Sequence, residues 1–143
     1  MQAKLPKIVI AGMSLRLECF LDIDGSYCAG KSTSIILDDI EKLKSLVAFL
    51  NSKAVSFWFS KYFNSLSMAG GYFNIGNNEI GLIPLPDVTF PIPKINKLVD
   101  KILSAKAYNS QAVTTDLEKQ LNEMVYKLYE LTDDEIAIIE NKN

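Results

Sequence analysis

The hydrophobic period of this chain changes at Asp38, and that change restricts its fold more than any other feature. Before it, Leu15, Leu17, Cys19 and Leu21 alternate with Arg16, Glu18, Phe20 and Asp22, the two-residue period of a half-buried strand. Residues 33–37, Thr-Ser-Ile-Ile-Leu, are rich in β-branched side chains and predict another strand. Asp24-Gly25 lies between them and signals a hairpin turn. Beyond Asp38, Ile40, Leu43, Val47, Leu50, Ala54 and Phe57 recur at helical spacing. Asp38, with Glu41 three residues later, marks the helix start. Leu46, Phe49, Trp58 and Phe59 add apolar surface elsewhere on this helix. It is therefore expected to be central and covered on most sides, with the aromatics packed in the core and Trp58 largely buried.

The remainder is broken by glycine and proline before helical periodicity returns. Residues 64–81 are rich in Gly, Asn and Ser and read as a long exposed loop with a short strand near residues 72–75. Pro84, Pro86, Pro91 and Pro93 keep the next stretch extended. Ile95, Leu98, Val99 and Ile102 make a short amphipathic helix, followed by a polar link. Thr115 with Glu118 and Thr132 with Glu135 both have capping-box spacing. Between them, Leu117, Leu121, Met124, Leu128 and Leu131 form one apolar stripe flanked by Tyr126 and Tyr129. The expected fold is α+β, a partly curled antiparallel sheet with a packed central helix and C-terminal helices. Residues 1–143 form a single domain: a strand-rich segment over residues 1–37, a central helix over 38–63, a loop and Pro-rich segment over 64–93, and a helical segment over 94–143. The abrupt strand-like start suggests a fragment of a larger protein.

Composition removes several function classes. The chain is 143 residues long and 48% hydrophobic, enough for a real core and too apolar for a disordered segment. No apolar run approaches the roughly 18 residues that suggest a membrane span, so a cytoplasmic protein without membrane contact is expected. Histidine is absent and there are two cysteines, Cys19 and Cys28. That is neither a disulfide framework nor a zinc site, and both cysteines are expected to pack as small apolar residues. The net charge of −2 gives no overall basic field. Its distribution is uneven: residues 1–86 carry eight basic against seven acidic residues, and residues 87–143 carry seven against ten. A polyanion is expected to meet the N-terminal portion.

Gly25-Ser-Tyr-Cys-Ala-Gly30-Lys31-Ser32 fits the P-loop pattern. A P-loop must run directly into a helix whose N-terminus faces the phosphates. Here a strand-like segment comes next instead, so nucleotide binding is the remote alternative. The carboxylates Asp22, Asp24, Asp38 and Asp39 are accounted for by turn and cap roles rather than metal binding. With no histidine and no catalytic triad, the domain is expected to be non-catalytic and to hold no cofactor. Two sets of side chains suit DNA binding. One is Arg16, Lys31, Ser32 and Thr33; the other is Lys61, Ser65, Ser67, Asn74, Asn77 and Asn78. Asn pairs with an adenine edge, Arg and Lys pair with guanine, and loop amides hold phosphate.

The order of short motifs resembles a known family. Pro6-Lys7-Ile-Val-Ile leads to a strand ending in Asp22, then Thr33-Ser-Ile-Ile. Leu46-Val-Ala-Phe-Leu-Asn-Ser-Lys53, a Gly-Gly-Tyr loop and Leu82-Ile-Pro-Leu-Pro86 come next. The series closes with a Leu98-Val-Asp-Lys helix and the Val125-Tyr-Lys-Leu-Tyr-Glu-Leu-Thr132 tail. The series spans nearly the whole chain and resembles the C-terminal specificity domains of TaqI-like, type IIG restriction-modification methyltransferases. The resemblance implies a target recognition domain that binds duplex DNA and positions it for the parent chain's own methyltransferase domain. That domain would methylate adenine N6 with S-adenosylmethionine, and a fused nuclease would use Mg2+. The alternative is a structural or protein-interaction module without a DNA role.

Overall fold

Ile8 and Ile10 in the first strand are fully buried, and the fold grows from their face of the sheet. In the computed structural model, residues 5–11, 13–14, 19–24, 33–62, 73–74 and 80–141 are described. Strand β1 (Lys7–Ala11) is the centre of a three-stranded antiparallel sheet. On one side it pairs with β3 (Cys19–Asp22), Lys7 opposite Asp22 and Ile10 opposite Cys19. On the other it pairs with β4 (Thr33–Leu37), Lys7 opposite Leu37 and Ala11 opposite Thr33. The strand after the Asp24-Gly25 signal thus pairs with β1 rather than β3. Two short strands, β2 (Met13–Ser14) and β5 (Phe73–Asn74), form a second antiparallel ladder. The β5 pairing accounts for the strand expected near residues 72–75.

The helix expected over 38–63 is two helices. Helix α1 spans Ile40–Leu50 and α2 spans Lys53–Tyr62. The first begins one residue later than its sequence signal, because Asp39 is the residue whose carboxylate accepts from the Lys42 amide. Asp38 accepts instead from the amide of Asp39. The break between them is made by polar side chains. Asn51 caps α1, and its amide side chain donates to the Cys19 carbonyl at 2.8 Å and accepts from the Cys19 amide at 3.0 Å. Ser52 donates to the Phe49 carbonyl and accepts from the Val55 amide, so it starts α2 as an N-cap. The break re-phases the apolar face. Ala54, Val55 and Phe59 are buried in α2, while Phe57 and Trp58 are only half-buried. Trp58 packs against the core around Ile8, Leu43 and Phe59 and leaves part of its surface open.

Among the described residues, three longer helices follow in the α+β fold: α3 (Pro93–Tyr108), α4 (Thr115–Leu128) and α5 (Asp133–Ile139). Pro93 stands in the first turn of α3, where its missing amide costs nothing. At 16 residues α3 is longer than the short helix expected and absorbs part of the polar link. The Thr115–Glu118 capping box does not form. The cap is Thr114, whose hydroxyl donates to the Glu118 carboxylate at 3.0 Å. The Thr132–Glu135 box does form, with both reciprocal bonds present. Just before it, α4 ends through the positive φ of Glu130 (57°). The amides of Glu130 and Leu131 bond to the carbonyls of Lys127 and Tyr126, which is the Schellman pattern made without glycine.

The core has two clusters that meet at α1 and α2. In the first, Ile8, Ile10, Leu43, Val47, Leu50, Val55 and Phe59 join sheet to helices. In the second, Ala48, Phe49, Ala54, Ile95, Val99, Val125 and Tyr126 join α1 and α2 to α3 and α4. The tail stripe contributes Leu121, Met124, Leu128 and Leu131 as a half-buried skirt, while its neighbours Val125 and Tyr126 go deepest. Phe49 is fully buried, stacked on Phe90 at 5.5 Å and edge-on to Tyr129 at 5.8 Å. Burying each such large apolar side chain contributes about 1.5–3 kcal/mol.

Polar groups tie the layers together. Ser45 and Asn96 are buried between α1 and α3. The Ser45 hydroxyl donates to Asn96 Oδ1 at 2.6 Å and accepts from the Ile92 amide at 2.8 Å. Asn96 Nδ2 donates to the carbonyl and carboxylate of Glu41. Nearby, Lys44 bridges Asp100 at 2.7 Å and Glu41 at 3.0 Å. The hydrogen bond to Asp100, more than its partial desolvation, sets its pKa and raises it above the usual lysine value.

Candidate functional site

The register puts the DNA-binding candidate Thr33 at one end of the three-stranded sheet and the candidate Asn74 in the β2–β5 ladder. Thr33 begins β4 opposite Ala11, the last residue of β1. Two residues further along the chain, Met13 in β2 pairs with Asn74 in β5. Ala11 thus pairs with the start of β4, and Met13 and Ser14 pair with β5. Those are the two regions of the chain that hold the two candidate sets. Arg16, Lys31, Ser32, Ser65, Ser67, Asn77 and Asn78 lie outside the described residues, as does the P-loop-like run from Gly25. Immediately after that run comes β4, a strand paired to β1, and the next helix starts only at Ile40. A P-loop needs a helix at that point.

Lys61 has different surroundings from Thr33 and Asn74. It is exposed on α2, its ammonium 5.5 Å from the centre of the Phe57 ring. It lines a cleft of about 350 Å³ between α2 and α5, within the range of recognised binding pockets. Phe57 and Trp58 come from α2, Ile138 and Ile139 from α5, and Pro84 and Tyr129 complete the wall. Trp58 stacks on Tyr62 at 4.8 Å. The Tyr129 hydroxyl donates to the Pro84 carbonyl at 2.6 Å, which fastens the Pro-rich segment to the end of α4. Burial pushes the Tyr129 phenol up to about 12. The charged groups lining the cleft are Lys61 of α2 and Glu135 of α5.

The Asn-Ser-Lys signature at 51–53 has a structural explanation at each position. Asn51 pairs with the backbone of β3 and Ser52 caps α2. The Lys53 amide donates to Asn122 of α4 at 2.9 Å, while its side chain is exposed. This tripeptide joins sheet, α1, α2 and α4 at one point. A second cleft of about 290 Å³ lies beside it, lined by Cys19, Asn51, Glu118 and Asn122 among others. Burial raises the Cys19 thiol to about 12, so it stays protonated near neutrality and is a poor nucleophile. Among the described residues, no group of three or more Cys, Asp or Glu could hold a metal ion. Among them too, no helix is long and apolar enough to cross a membrane.

Sequence reasoning missed the α2–α5 cleft because Phe57 and Trp58 fall on an apolar helix face. The available signal was Asn51-Ser52, a capping pair inside an apparently continuous helix. No protein-family model matches the chain, and no curated protein matches it in sequence.

Proposed function

We propose that this chain is the target recognition domain of an adenine-N6 restriction-modification methyltransferase. It binds duplex DNA and presents it to a methyltransferase domain elsewhere in the parent chain. The supporting observation is the β2–β5 pairing next to the Ala11–Thr33 pair. It supports the reading because Asn74 pairs with Met13, two residues along the chain from the Ala11 that pairs with Thr33. The motif series supplies the family; Arg16, Lys31, Ser32 and Thr33 contact the backbone or bases, and Asn74, Asn77 and Asn78 read base edges. S-adenosylmethionine chemistry belongs to the parent's methyltransferase, and Mg2+ to a nuclease if one is fused.

A fluorescence titration with short duplexes at several salt concentrations tests this. The domain neutralises about two to four phosphates, so log K should fall with log salt at a slope of roughly −2 to −4. Affinity should lie on the order of 10⁻⁴ to 10⁻⁶ M at physiological salt. Arg16→Ala and Lys31→Ala should each weaken binding, and Lys142→Ala should leave it unchanged. Absence of any salt-dependent binding, or equal binding by the Arg16 and Lys31 variants, sinks the proposal. The protein-interaction reading is favoured by a different observation, the apolar cleft between α2 and α5.

A further inference from the structure

The α2–α5 cleft has an apolar interior and an opposite charge on each of its two helices. Lys61 comes from α2 and Glu135 from α5. Lys61 forms no ion pair within 4.0 Å among the described residues, and its ammonium lies over the Phe57 ring. Glu135 accepts from the Thr132 amide and keeps its charge on the surface. Apolar surface extends past the cleft on the elements that wall it. Tyr62 of α2 is 58% exposed and Ile138 of α5 is 59% exposed. Leu82 and Leu85, which flank Pro84, are exposed as well. Large exposed apolar side chains grouped on the elements around a cleft suit a macromolecular contact.

We infer that this face pairs with a second copy of the chain across a two-fold axis. An isologous interface brings the same patch together from both sides, so each feature must be complementary to another on that patch. The cleft satisfies this in charge. When α2 of one copy faces α5 of the other, Lys61 meets Glu135 of the partner subunit, and the symmetry repeats the pair. The net charge of −2 leaves little long-range repulsion between copies. Dimer formation and DNA binding are independent, and either can fail alone.

Sedimentation velocity on the full chain, from low micromolar to several hundred micromolar, provides the test. The mass should rise from 16.0 kDa toward twice that value, with a concentration-dependent blue shift of Trp58 emission. Ile138→Asp should abolish the rise. Lys61→Glu should raise the dimer dissociation constant about tenfold or more, since it turns two cross-interface attractions into repulsions. The charge swap Lys61→Glu with Glu135→Lys should recover much of the association. Glu135→Lys also removes half of the α5 capping box, so melting curves must show each variant folded. A mass of 16.0 kDa at every concentration overturns the inference. So does a dimer indifferent to Ile138→Asp, or folded variants in which the swap associates no better than Lys61→Glu alone.

Discussion

Two buried polar sites hold this molecule together by different physics. In the sheet, Lys7 and Asp22 face each other across β1 and β3 at 2.7 Å, with side chains only 1% and 4% exposed. Between α1 and α3, Ser45 and Asn96 are buried as neutral groups that divide their hydrogen bonds among each other, Ile92 and Glu41. A buried ion pair must recover the cost of desolvating two charges. A neutral network recovers a smaller cost bond by bond. The sheet site should therefore be the more brittle, because removing one member takes from a buried charge the opposite charge 2.7 Å away. The helix site should yield by roughly one unmet hydrogen-bonding group at a time.

The largest expected effect comes from breaking the ion pair on one side. Asp22→Ala should destabilise the fold by about 3–5 kcal/mol, whereas Lys7→Met with Asp22→Leu should be nearly neutral or stabilising. Denaturant unfolding followed by Trp58 fluorescence measures both. If the double variant is as unstable as the single, the pair itself supplies stability rather than only tolerating its burial.

Asn96→Ala comes next. It leaves the Ser45 hydroxyl and the Glu41 carbonyl without a partner they now have, at a cost of about 1–3 kcal/mol. Ser45→Ala should cost less than Asp22→Ala for the same reason. Equal losses at the two sites would erase the distinction between charged and neutral burial.

The smallest effect at neutral pH, and the clearest pH dependence, belongs to Tyr129. Its hydroxyl bond to Pro84 is worth about 0.5–1.5 kcal/mol, so Tyr129→Phe should be a mild change at pH 7. Cys19 is raised from 9.0 to about 12 and Tyr129 from 10.0 to about 12, both by burial. Burial also raises Tyr126, with help from its hydrogen bond to Glu140 and the charge there. Groups with raised pKa values hold their protons more tightly when folded, so their contribution is complete below the unfolded value. Stability should not respond to these groups below about pH 9 and should fall between about pH 9 and 12. Lys44, also raised, acts in the same direction. Melting temperatures across that window should fall less steeply for Tyr129→Phe than for the parent chain; an unchanged slope would mean Tyr129 ionises equally well folded and unfolded.

The change of period at Asp38, the strand-rich N-terminal region and the Thr132–Glu135 capping box were legible because each depends on neighbours within a few residues. These determine an α+β chain whose antiparallel strands lie mostly before its helices. Local chemistry misled where two readings had the same spacing. Asp38 and Asp39 both suit a cap, and hydrogen bonding chose Asp39. Thr114 displaced the Thr115 box. Glu130 ends α4 in a left-handed conformation that the sequence does not announce, since glycine usually marks it. Of the DNA-binding candidates, residue type alone picked out the set, and the backbone register pairs Thr33 with Ala11 and Asn74 with Met13, two residues on.

Only tertiary structure decided the rest, because the deciding partners are distant along the chain. At the break in the long helix, the Asn51 side chain is taken up by the Cys19 backbone, 32 residues away. Beyond that break, Phe57 and Trp58 are half-buried and line the cleft. Asp22 reads as a turn residue until Lys7 lies across from it. Periodicity reports which face of an element is apolar, but burial depends on what another element brings to that face, and a single sequence window contains no term for it.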